Sequence, residues 1–184
     1  MCYTQLIEKH LTLNSRGENL SSSSYIVKKG IFSMTEYVYI AADTPLRAGL
    51  IDGRRSEQQP NEYPLAIQDY FYFEKNIDED TGETVNFSIH FPFKTVKYQV
   101  ASIALDLPSF DKRNTQSPRF KNTLKALEDY IHEQFENGCV QLMILYSLNS
   151  YEDEPLKANE EISIADLKSQ DLYYAESRLL RIKK

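Results

Sequence analysis

Apolar residues recur at two different periods between positions 117 and 148, and the switch marks a helix followed by a strand. Phe120, Leu124, Leu127, Ile131 and Phe135 step by four, three, four and four, which lines one face of an α-helix. Ser117 supplies a hydroxyl N-cap. Pro118 takes the first helical position, where its missing N–H has no partner to lose, and Gly138 tolerates the left-handed turn that closes a helix. The spacing predicts a helix over about 118–136. After it, Cys139–Leu148 is almost continuously apolar, as expected of a central strand covered on both faces.

Elsewhere the pattern favours strands. Residues 2–13 carry a mixed apolar pattern compatible with a strand, and 14–24 read as a polar loop. Tyr25–Lys28 and Ile31–Ala41 are β-like runs parted by Gly30, the second rich in β-branched and aromatic residues. Thr44-Pro45 has the form of a helix start, with Leu46 and Leu50 on one face of a short turn, and the rest of 43–64 is a long polar loop. Ala66–Lys75 and Val85–Phe93 flank the Gly-bearing acidic segment 78–83, the pattern of a hairpin. In its second arm Val85, Phe87, Ile89, Phe91 and Phe93 share one face, and Pro92 marks an edge or an end. Thr95–Leu107 is a further strand candidate, 149–161 an acidic loop, and Ile162–Gln170 a short helix. Across 171–184, Leu172, Ala175, Leu179 and Ile182 favour a helical stripe over a strand. These elements predict one α+β domain over 1–184: a mostly antiparallel sheet of about six strands, with the long helix and one or two short ones packed on one face.

Composition narrows the class. The 184 residues are 41% hydrophobic and 26% charged, with 6 Gly and 2 Cys, which excludes a collagen repeat, a disulfide scaffold and a disordered chain. The N-terminus lacks the basic start and apolar core of a secretory signal. The longest fully apolar run, Leu142 to Tyr146, falls far short of the ~20 residues that span a bilayer. With cysteines only at Cys2 and Cys139, a cytoplasmic protein is expected.

Searches for reactive chemistry return little. His10, His90 and His132 have no partner at ligand spacing, and His132-Glu133 is followed by Glu136 where a zincin needs its second His. Two cysteines cannot build a structural zinc set, and Asp78-Glu79-Asp80 lacks the alternating ligands of a calcium loop. No Gly-x-Ser-x-Gly elbow or Gly-rich phosphate loop occurs. Ser88 and His90 share a strand face, a spacing that arises easily without catalysis. We therefore expect no catalytic residue, no metal and no cofactor.

Charge supplies the remaining hints. The long helix crowds Arg119, Lys121 and Lys125 at its start and Glu128, Asp129, Glu133 and Glu136 at its end, against the preference of the helix dipole. A small enzyme or ligand-binding domain would use that start for an anionic, phosphorylated substrate, through Arg119 and Lys121 or through Arg54 and Arg55 of the long loop. Arg47 shares that loop. His90 or His132 would then serve as acid or base. The net charge of −6 is concentrated in two loops: 76–111 hold six acids against two bases, and 149–166 hold six against Lys157 alone. Such loops repel nucleic acid and anionic membranes and attract basic surfaces. Tyr70-Phe71-Tyr72-Phe73, within a chain of 13 Tyr, puts rings on both faces of a strand. The reading favoured at this level is a non-catalytic acidic protein that docks on a basic macromolecular partner. An inhibitor or immunity-type protein neutralising a nuclease-like toxin has this charge balance. The expected contacts are Asp78, Glu79, Asp80, Glu83, Glu152, Asp153, Glu154, Tyr70 and Tyr72.

Overall fold

Alternation along each strand sorts the apolar side chains onto the two faces of a single sheet. The computed structural model describes residues 35–51, 71–78, 80–104, 107–109, 118–148 and 151–184, all within one compact unit, Ser33–Lys184. In chain order these form β1 (Glu36–Ala42), β2 (Gly49–Ile51), β3 (Phe71–Lys75), β4 (Tyr98–Ile103), α1 (Pro118–Glu136), β5 (Gln141–Leu148), β6 (Ala158–Ser163) and β7 (Arg178–Lys183). The sheet order is β2-β3-β4-β1-β5-β7-β6, antiparallel throughout except for the β6–β7 pair. The fold is thus α+β, with one strand more than expected.

On the helix side, Val38, Ile40 and Ala42 of β1 sit beside Val100, Ile144, Leu180 and Ile182, under Leu124, Leu127, Ile131 and Phe135 of α1. Aromatic contacts knit helix to sheet: Phe71 and Phe73 stack at 5.4 Å, and Phe73 meets Tyr130 at 5.0 Å between centroids. The helix ends as predicted. Gly138 adopts φ +99°, and the N–H groups of Gly138 and Cys139 return to the carbonyls of Phe135 and Gln134, which closes a Schellman turn. β5 is buried on both faces, the expectation for its sequence.

The opposite face carries its own apolar cluster, which the one-sided prediction omits: Tyr39, Ala41, Met143, Leu145 and Leu179, covered by Phe91 and Val96 with Phe87 and Leu156. That cover explains a correction. Val85–Phe93 is not a strand but a run of turns, and β3 pairs instead with β4 and, on its other edge, with β2. Side chains replace the ladder: Asn76 Nδ2 donates to Val85 O, Phe87 N–H to Gln99 Oε1, and Asn86 Nδ2 to Phe91 O. Only the acidic tip keeps hairpin form, closed by the Ile77–Thr84 bridge with Gly82 at φ +70°.

Four further expectations change. Thr44-Pro45 starts no helix; Leu46 enters the helix-side core whereas Leu50, in β2, faces the other way. Residues 158–161 of the supposed acidic loop belong to β6. The short helix over 162–170 is replaced by the end of β6 and two 3-10 turns, Ile164–Asp166 and Ser169–Leu172, which help carry the chain across to its parallel neighbour. Finally, 178–183 is strand β7, because Arg178 lies inward and Leu179 and Leu180 bury on opposite faces. The strand candidates within 2–13 and 25–34 lie outside the described residues.

Candidate interaction face

Register, rather than any motif, assembles a row of side chains across the face opposite α1. Leu50 pairs with Tyr72, and Ile103 pairs with Tyr37. Glu74 faces Ala101 on the neighbouring strand, so continuing that register by two residues sets Tyr72 across from Ile103. The row therefore runs Leu50, Tyr72, Ile103, Tyr37. Its first three members are open to solvent, at 45%, 61% and 42% exposure. Tyr37 is half-buried and stacks on Tyr39 at 5.8 Å. Apolar groups this exposed and contiguous mark contact surfaces more often than scattered ones do.

Carboxylates border the row. Glu74 lies one strand-repeat from Tyr72, on the same face. Burial, and after it the charges of Glu74 and Glu152, hold the Tyr37 phenol above its ordinary range. Burial first, with Glu152, Tyr37 and Asp153 adding to it, does the same more strongly at Tyr39. Both tyrosines therefore feel the 152–153 turn, and Tyr37 feels Glu74 as well.

That turn is bolted to residues 85–97, an aromatic strap whose Phe87, Phe91 and Val96 cover this face. Ser88 Oγ donates to Glu152 O at 2.6 Å, Ile89 N–H donates to Asp153 Oδ1 at 2.8 Å, and His90 Nε2 donates to Glu154 O at 2.8 Å. A carbonyl only accepts, so His90 carries its proton on Nε2. Ser88 is buried, and its hydroxyl donates to Glu152 O and accepts the His90 N–H, so the two residues brace this turn. Glu152 Oε2 is shielded from solvent and has no hydrogen-bond partner.

The expected partner residues separate on this geometry. Tyr72, Glu152 and Asp153 belong to the face, although Asp153 spends one oxygen on the strap. Asp78 Oδ1 accepts the N–H groups of Asp80 and Thr81, and those bonds hold its carboxyl below the usual range. Asp80, Glu83 and Glu154 are exposed acids. Glu160 and Glu161, also in the anticipated acidic loop, instead pair with Arg178 at 2.6 Å and Lys183 at 2.8 Å. Tyr70 and Glu79 lie outside the described residues. Tyr37, Leu50, Glu74 and Ile103 were missed. The alternation Tyr72-Phe73-Glu74 shows which side chains share a face, but only strand pairing joins them to Tyr37 and Ile103.

For the anion alternative, Arg119 and Lys121 stand exposed on the first turn of α1, and Arg54 and Arg55 lie outside the described residues. Arg47 is paired with Glu133 at 3.0 Å. Among the described residues, the alternative has the helix start to stand on. Cys139 is a buried free thiol whose pKa burial pushes up to about 11. Among the described residues no group of three or more His, Cys, Asp or Glu is placed to hold a metal, and no helix is long and apolar enough to cross a membrane. No protein-family model, curated protein or solved structure matches this sequence.

Proposed function

We propose that this chain is a non-catalytic binding protein that docks on a basic protein through the face opposite α1. The observation that carries the proposal is the open row Leu50, Tyr72 and Ile103 ending at Tyr37, with Glu74 and Glu152 beside it. Tyr presents an apolar body and a polar tip, the mixture enriched at the centre of interfaces. Arginine or lysine laid over such a ring gains about 0.5–2 kcal/mol, and a nearby carboxylate adds a charged partner. The exposed acids Asp80, Glu83 and Glu154 add long-range attraction for a cationic surface. An inhibitor or immunity-type protein covering a basic nuclease-like surface fits this chemistry.

Affinity capture from native lysate, eluted with rising salt and read by mass spectrometry, tests the proposal. We expect a basic protein that leaves between roughly 0.1 and 1 M salt, over which the Debye length falls from ~10 to ~3 Å. Retention of no protein, or of one indifferent to salt, contradicts it.

A further inference from the structure

A cavity of about 300 Å³ opens between the chain before β2 and the adjoining ends of β3 and β4. Leu46 and Tyr98 belong to the helix-side cluster and Lys75 pairs with Val100 of that side, whereas Gln99 pairs with Ala41 of the other; the cavity shares no residue with the docking row. The volume stands at the lower end of the range for small-ligand sites. Pro45, Leu46, Ile77 and the Tyr98 ring wall it, and Lys75 and Lys97 line it.

The rim is preformed. Asn76 is buried and fully engaged: Nδ2 donates to Val85 O at 2.7 Å and Lys97 O at 3.1 Å, while Oδ1 accepts Gln99 N–H at 3.1 Å. Gln99 is tied off in turn to Asn86 and to the Phe87 N–H. Among the described lining residues, the polar side-chain groups left over are cationic or hydroxylic. Neither ammonium has a carboxylate within ion-pair distance among the described residues; Lys97 Nζ sits 5.0 Å from the Tyr98 ring centroid. Glu74, next to Lys75 in β3, points to the other face of the strand, and Asp78 turns back on its own loop.

We infer that this cavity binds a small organic anion, a carboxylate or phosphate monoester on a compact apolar body, with the charge at Lys75 and Lys97 and the body against Leu46, Ile77 and Tyr98. Two ammonium groups with no carboxylate partner among the described residues, beside an apolar wall, suit neither a neutral ligand nor a cation. Inorganic phosphate supplies the charge without the body, and benzyl alcohol the body without the charge.

Calorimetric titration of the intact chain with benzoate, phenyl phosphate, inorganic phosphate and benzyl alcohol, up to roughly 10 mM, reads the site on the millimolar scale of weak binding. We expect saturable binding of benzoate, phenyl phosphate or both, at least tenfold tighter than either control. Which of the two binds distinguishes carboxylate from phosphate. The exposed pair K75A/K97A should lose that binding tenfold or more, with K75R/K97R and K94A retaining it. Failure of both aromatic anions to bind, equal binding of inorganic phosphate, or binding that survives K75A/K97A overturns the inference. The basic-partner proposal is unaffected by these results, because its row shares no residue with the cavity.

Discussion

Arg178 shows how one side chain reassigns a whole segment. Its side chain is almost completely buried; Nε and Nη2 reach Glu160 at 3.1 and 2.6 Å, and Nη1 donates to the carbonyls of Asp171 and Tyr173. A charge at that position looks like the wet face of a helix, and this misdirects the periodicity of 171–184. Arg178→Ala should destabilise the protein by about 2–4 kcal/mol, below the full cost of breaking a buried pair because Glu160 keeps half its exposure. Chemical denaturation measures this, and a loss below about 1 kcal/mol contradicts the buried anchor. Cys139 makes a second residue-scale prediction. With its thiol buried and its pKa up at about 11, it should resist alkylation at pH 8 until the chain is unfolded, and labelling of the native fold at the rate of a free thiol contradicts the placement.

At the scale of elements, legibility followed how local the signal was. α1 was readable to its ends because its stripe and its closing glycine act within a few residues. Gly138→Ala should cost about 1–2 kcal/mol for strain at φ +99° alone, since no atom lies near the added methyl; thermal unfolding checks it, and a stabilised variant contradicts the left-handed turn. β5 was equally plain, because a short, nearly continuous apolar run straight after a helix-closing glycine is the pattern of a doubly covered strand. The strap over 85–97 was misread for the opposite reason. Its alternating Phe87, Ile89 and Phe91 resemble a strand, yet its hydrogen bonds go to side chains of Asn76, Asn86 and Gln99, and from Ile89 N–H to Asp153, none of which a period reveals. The docking row failed in the same way: Tyr72 was chosen from composition, but Leu50, Ile103 and Tyr37 join it only through register.

At the scale of the molecule, two apolar layers share one sheet, and buried tyrosines occupy both. Tyr130, Tyr146 and Tyr174 pack on the helix side and Tyr39 on the other, and burial holds all four phenols far above their ordinary value. The folded state therefore keeps protons that the unfolded chain releases. Their contribution is whole below the unfolded pKa of ~10 and is lost as pH rises past it. Absorbance titration should show these tyrosines ionising only together with the loss of circular dichroism, in one steep alkaline transition. Smooth titration of all 13 near pH 10 with the fold intact contradicts the packing.

The central claim, that the row opposite α1 meets a basic protein, is tested most directly by quantitative capture with Tyr72→Ala/Glu74→Lys beside the unaltered chain. Glu136→Lys, a matched charge reversal at the exposed end of α1, serves as the control. The account predicts that the double variant retains tenfold less of the basic partner or below, a loss of ~1.4 kcal/mol or more, and that Glu136→Lys binds as before. Equal retention by all three proteins, or a loss confined to Glu136→Lys, contradicts it.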